Sequence, residues 1–152
     1  MKNIYLNNAA SCYPRPGSVD RAVVDVLNTP PYHPGRTGLD ESRADFLSVC
    51  RSNLAVLLNA SSRSDIVLNS GATESLNTLI QGLVSEGSHV ITTATEHNSV
   101  LRPLYRLAQE KDVELTILEC DENGYVTPEL FKKAIHDKTS LIVINHCSNV
   151  TG

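Results

Sequence analysis

The chain has 152 residues, 41% hydrophobic and 20% charged, with 13 Lys and Arg against 17 Asp and Glu for a formal net charge of −4. That length suits one ordinary domain; the mild acidity lacks the basic stripe of a dedicated nucleic-acid surface, and apolar runs such as Leu141-Ile142-Val143-Ile144 fall far short of a membrane span. Residues 1–7 carry no secretory apolar region, and Cys12, Cys50, Cys120 and Cys147 form no C-x-x-C pair, so reduced thiols in a soluble, cytoplasmic α/β enzyme chain are expected.

The first 60 residues predict a short strand near Ile4–Leu6, a helix around Val19–Leu27, a Pro/Gly-rich loop from Thr29 to Gly38 and a longer helix from about Asp40 to Leu58. The apolar side of that longer helix is Phe46, Leu47, Cys50, Leu54, Leu57 and Leu58. After residue 60 the hydrophobic period alternates between strand-like and helix-like. Asp65–Asn69 is short, apolar and β-branched and predicts a buried strand. Leu76, Leu79, Ile80 and Leu83 then repeat at helical spacing, Gly87 ends that helix, and His89–Thr93 is the next strand.

A helix carrying Val100, Leu101, Leu104, Leu107 and Ala108 follows, with Asn98 or Ser99 as its cap and Pro103 in or just beyond its first turn. Strand Glu114–Cys120 and the turn Asp121–Gly124 precede another helix. Thr127 is its expected N-cap, Pro128 its first residue, and Leu130, Phe131, Ala134 and Ile135 its buried face. Strand Ser140–Asn145 completes the pattern. Alternating strands and helices of these lengths imply crossovers and a mostly parallel sheet flanked by helices.

A parallel sheet that stopped after Val150-Thr151-Gly152 would leave edges and faces uncovered. The expectation is therefore a single partial domain over 1–152 belonging to a larger protein: an N-terminal strand, helix and loop segment (1–60) and a βαβ part (61–152).

Ligands of open α/β sheets bind outside the carboxyl ends of the strands, where three polar clusters are expected: Ser70–Ser75, Glu96–Ser99 and His146–Asn149. Gly71 permits close backbone approach, a helix N-terminus offers free amides, and Thr73 adds a hydroxyl, a combination suited to phosphate; Ser70 acting as a plain helix cap fits the same residues. His97 suits stacking on a planar ring or moving a proton, or is a loop histidine bonded to its neighbours. Asn149 offers a donor and acceptors for a phenolic oxygen or a carboxylate, or is a turn asparagine. Arg36 can fork onto a carboxylate, or is a solvated loop residue. No zinc-ligand spacing, P-loop or Gly-x-Ser-x-Gly elbow occurs.

Five stretches taken in order resemble the class V aminotransferase family, in its cysteine desulfurase-like branch: Ile4–Ala10, Pro34–Gly38, Asn69–Asn77, Thr95–Val100 and Ser148–Gly152. The resemblance covers essentially the whole chain and implies the N-terminal part of the large domain of a fold-type I homodimer that uses pyridoxal 5′-phosphate on a small amino acid, cysteine being one candidate, with a sulfur-acceptor protein as a possible partner. By motif, Gly71, Ala72 and Thr73 would hold the cofactor phosphate, His97 would stack on its ring as the catalytic histidine, and Asn149 would contact the phenolic oxygen. Asn8, Ala9, Ala10 and Arg36 would line the substrate side. The family's cofactor-bonding lysine, persulfide cysteine and ring-nitrogen aspartate belong to a region with no counterpart here; Lys2, Lys111, Lys132, Lys133 and Lys138 fall in none of the matching stretches. The competing expectation is a catalytically inactive fragment or a phosphate-ligand binding module.

Overall fold

The computed structural model describes residues 4–30 and 45–150. The chain divides into two compact units, 1–68 and 69–152. Within the first, helix α1 spans Gly17–Leu27 and helix α2 spans Phe46–Leu57, followed by a 3₁₀ turn at Arg63–Asp65. Asp45 starts α2: its carboxylate accepts from the Leu47 amide at 3.1 Å and from the Ser48 hydroxyl, which holds its pKa below the ordinary carboxylate value. The helix predicted from Asp40 thus begins, in its described part, at Phe46, and residues 40–44 lie outside the described residues. Of the described residues of this unit only Ala55 is buried, and the expected apolar side of α2 is largely exposed, Phe46 by 54% and Leu57 by 77%.

Two predicted strands are absent. Ile4–Leu6 is irregular, and Ile66–Asn69 follows the 3₁₀ turn without joining a sheet. A segment becomes a strand only when a neighbour pairs its amides and carbonyls, and no described segment pairs with either. The apolar, β-branched composition of Ile66–Asn69 says nothing of that partner.

The second unit holds the sheet. Helix α3 (Ala72–Leu83), strand β1 (His89–Thr93), helix α4 (Asn98–Glu110), strand β2 (Glu114–Leu118), helix α5 (Pro128–Ala134) and strand β3 (Thr139–Ile142) follow in order. The strands run parallel in the order β2-β1-β3, as the alternation predicts, though β2 and β3 are shorter than expected. Gly87 enters β1 with a φ of +70°, a left-handed conformation that favours glycine. Every residue of β1 is buried. Val90 meets Ile80 and Val84 at the C-terminal end of α3, Val100, Leu104 and Leu107 of α4, and Val113 in one apolar core. Leu79 and Leu83, predicted on the same face of α3, are more than half exposed.

His89 ties the three strands together at the rim where they begin. Its ring nitrogens lie 2.8 Å from the Thr139 hydroxyl of β3 and 2.9 Å from the Thr116 hydroxyl of β2. His136 stacks on it with centroids 4.1 Å apart. Burial above all, then the His136 charge, holds the His89 pKa below its ordinary value. His89, Glu114 and His136 bring ligating atoms within 4.8 Å of one another, a cluster that sequence spacing did not show; both His89 nitrogens are taken by threonines, and the two rings lie nearly parallel rather than converging on a common point.

Two helix details differ from expectation. Pro103 is the sixth residue of α4 and is buried there, where its missing amide leaves the Ser99 carbonyl without that partner. On α5, Thr127 is the N-cap residue and Pro128 the first residue, as predicted, but the Thr127 side chain makes no capping bond and no residue of the helix is buried; Phe131 and Ala134 are half-buried and Leu130 is exposed. Among the described residues no helix is long and apolar enough to cross a membrane, and all four cysteines are free.

Candidate functional site

The Ser70–Ser75 cluster reaches its place through α3, which packs on α4, and not at the end of a strand. Gly71 is the N-cap of α3 with extended backbone, and no side chain caps the helix. Ser70 does not serve as the cap: its amide and hydroxyl both donate to Glu74, the amide at 2.8 Å, and those bonds hold the Glu74 pKa below its ordinary value. The first-turn amides of α3 therefore stay open to an anion. Among the described residues a Cβ at Gly71 would meet nothing within 4 Å, which leaves open space over the helix start. The Thr73 hydroxyl makes no hydrogen bond among the described residues, its carbonyl accepting from Asn77 at 2.8 Å.

His97 is the N-cap of α4, a role expected of Asn98 or Ser99. Its Nδ1 accepts from the Ser99 amide at 3.1 Å and lies 2.8 Å from the Ser99 hydroxyl. A backbone N–H can only donate, so Nδ1 carries the lone pair and the proton of the neutral ring sits on Nε2. The sequence signal was present but weak: a histidine directly before Asn-Ser at a helix start accepts like a capping side chain, though Ser, Thr, Asp and Asn dominate such positions.

Thr73 and His97 line one groove of about 490 Å³ between α3 and α4. Thr73, Asn77 and Gln81 form its α3 side, and Asn98, Ser99, Arg102, Arg106, Glu110 and Lys111 its α4 side. Three cations stand there against Glu110, which pairs with Arg106 at 2.9 Å, so the groove favours an anion. Gly71 and Ala72 adjoin Thr73 at the head of α3. Asn149 sits in an exposed turn after β3 and does not line the groove. Asn8–Ala10 form a turn in the first unit, where the Asn8 side chain accepts from the Tyr13 amide at 3.0 Å. Arg36 lies outside the described residues.

Glu96, placed by sequence in the Glu96–Ser99 cluster without a role of its own, lies in the loop between β1 and His97. Burial pushes its carboxyl above the ordinary carboxylate range, opposed by the nearby His97 and Asn145 amides. Its Oε1 is buried without a hydrogen-bond partner among the described residues.

The family model described as aminotransferase class-V matches residues 4–152. The cysteine desulfurase IscS of Shewanella sp. (strain ANA-3) is 35% identical across 98% of this chain, and that of Vibrio cholerae serotype O1 is 34% identical across the same share. This chain spans 38% of the length of each. Among solved structures, the cysteine desulfurase CsdA of Escherichia coli matches 91% of the chain and 36% of its own with a TM-score of 0.73 at 24% identity, a likeness of fold. The apo cysteine desulfurase of Thermococcus onnurineus NA1 matches 70% of the chain and 27% of its own with a TM-score of 0.64 at 30% identity. With a groove that joins the open head of α3 to the His97 cap of α4, and with the family pattern running from residue 4 to the last residue, the chain belongs to the class V aminotransferase family.

Proposed function

We propose that this chain supplies the phosphate-binding and ring-stacking side of a pyridoxal 5′-phosphate site, in an enzyme that acts on an amino acid as the cysteine desulfurases it is similar to act on cysteine. The observation that carries the reading is the uncapped N-terminus of α3 with an unengaged Thr73 hydroxyl in the same cationic groove as His97. Those residues fit the cofactor: open amides and a hydroxyl for its dianionic phosphate, a flat imidazole for its pyridine ring. When bound, pyridoxal phosphate supplies the electron sink for cleavage at the substrate α-carbon.

The chain's own residues bind and orient. The amides of Ala72 and Thr73, with the Thr73 hydroxyl, hold the phosphate, and Gly71 leaves room for its approach. His97, fixed by its Nδ1 bond to the Ser99 amide, presents a ring face and an Nε2–H. That tautomer makes Nε2 a donor toward a ligand, so His97 holds a proton there and accepts one at Nδ1 only by giving up the helix cap. Asn149 is assigned to the phenolic oxygen by motif alone, as are Asn8, Ala9, Ala10 and Arg36 to the substrate. A homodimer, a sulfur-acceptor partner, a cytoplasmic setting and one partial domain over the whole chain complete the reading.

Thr73→Ala tests it. Loss of a hydrogen bond to a charged phosphate lowers pyridoxal phosphate affinity by roughly 10- to 150-fold. Because the Thr73 hydroxyl makes no bond among the described residues, the melting point should barely move. Parallel ligand titrations and thermal melts check both; unchanged affinity with a lowered melting point would contradict the assignment.

A further inference from the structure

We propose that the stacked rings of His89 and His136 form a one-proton switch at the start of β3: the pair accepts a single proton, held on His136 against Glu114, and a second proton on His89 releases the turn that leads into β3. Three links join His89 to that turn. Its amide donates to the Lys138 carbonyl at 2.8 Å, its Nδ1 meets the Thr139 hydroxyl at 2.8 Å, and the His136 ring lies on its own ring with centroids 4.1 Å apart and planes 15° apart. The turn is closed by the Thr139 amide, which donates to the His136 carbonyl at 2.9 Å, and by the Thr139 hydroxyl, which accepts from the His136 amide at 2.9 Å.

These links stand where β3 takes its register. His89 is opposite Thr139 and Val90 is opposite Leu141, so Ser140 is an extra residue between two paired positions. Beyond it, Leu141 and Val143 pack on the apolar core. A slip of one residue would turn both away from that core, and Thr139 is the fixed point before the bulge.

Charge makes this anchor sensitive to protons. His89 is 1% exposed, and its ring nitrogens meet the uncharged hydroxyls of Thr139 and Thr116. The His136 side chain is 41% exposed and its Nε2 lies 3.5 Å from a Glu114 oxygen, so a proton there finds both water and a counter-charge. Two imidazolium rings in stacked contact repel, and the first proton therefore opposes the second. Among the described residues, His136 on the turn and Glu114 on β2 are the charged or titratable groups that act on His89. Burial first, then His136, holds its pKa below the ordinary value, and Glu114 opposes them.

Imidazole NMR of the full chain across the histidine range, with amide exchange followed in parallel and corrected for its intrinsic pH dependence, tests the switch. His136 should take its proton first and His89 at lower pH. As His89 titrates, its own amide and that of Thr139 should exchange roughly tenfold faster. The Glu114 amide, which donates to the Ser88 carbonyl at 2.9 Å on the β2 side of the same rim, should keep its rate. His136→Phe keeps a flat ring in the stack and cannot take a proton, so His89 should titrate about one pH unit higher than in wild type. Glu114→Gln keeps the size and removes the counter-charge, so His136 should titrate at lower pH; this variant shows where the first proton sits even if His136→Phe fails to fold. Four results would each overturn the switch: His89 titrating before His136, a His89 midpoint that stays or falls in His136→Phe, a His136 midpoint unmoved in Glu114→Gln, or His89 and Thr139 amides that keep their rates as His89 titrates. Equal acceleration of the Glu114 amide would also overturn it, because the whole rim would then be opening.

Discussion

Helices α1 and α4 read alike in sequence, each with apolar residues at helical spacing, yet one buries its face and the other does not. In α4, Val100, Leu104 and Leu107 are at most 4% exposed, whereas in α1 Val19, Val23 and Val26 are 44–53% exposed and no residue is buried. The difference lies in what surrounds them. The second unit contains its own partners for α4: α3, β1 and Val113. The described part of the first unit contains none for α1. Amphipathic spacing thus identifies a face without identifying what covers it, and the same holds for Ile66–Asn69, apolar enough for a strand but unpaired.

The comparison breaks most directly at the core. Leu104→Ala should destabilise the second unit by about 2–5 kcal/mol, since it removes a fully buried side chain and leaves a cavity. Val23→Ala on the exposed face of α1 should change stability by no more than about 0.5 kcal/mol. Denaturant melts followed by circular dichroism measure both. Equal losses would mean that α1 buries its face as α4 does.

A smaller effect separates the two roles of His97. His97→Asn keeps an acceptor for the Ser99 amide and loses the ring; His97→Phe keeps a flat ring and loses the cap. The Phe variant should lose about 0.5–2 kcal/mol of stability and retain pyridoxal phosphate. The Asn variant should melt as wild type but bind the cofactor more weakly, by about 0.5–1.5 kcal/mol of lost stacking. An Asn variant that bound the cofactor as wild type would leave His97 a helix cap only, and a Phe variant that melted as wild type would remove the cap role.

The smallest expected effect is a slope. The folded His89 pKa lies below its ordinary 6.5, so the unfolded chain takes up that proton first as pH falls. Its contribution to stability is present above pH 6.5 and is lost as pH drops from there through the folded value. Glu96 acts with the opposite sign: its folded pKa lies above the ordinary 4.5, so its contribution is present below pH 4.5 and lost as pH rises through the folded value. His89→Gln should flatten the stability decline just below pH 6.5, a change read from melts at closely spaced pH; an unaltered slope would assign that decline to other groups.

How much was legible follows from the same physics. The parallel sheet and its crossovers were legible because β1, α4 and β2 and their core partners all lie within about 50 residues. Thr73 and His97 were named from their motifs, and the groove between α3 and α4 brings the two together. The His97 cap was not legible, because Asn98 and Ser99 are better capping residues on propensity alone. Glu96 carried no role of its own in the sequence because its partial burial depends on the fold around it and not on its neighbours in the chain.

The central claim is that the heads of α3 and α4 together form an anion and ring site. Amide NMR of the chain titrated with pyridoxal 5′-phosphate tests it most directly. The account predicts the largest shifts at Ala72, Thr73 and Glu74 and at His97–Ser99, with inorganic phosphate reproducing only the α3 set. Shifts centred elsewhere, or an α3 set that fails to respond to either ligand, would contradict it.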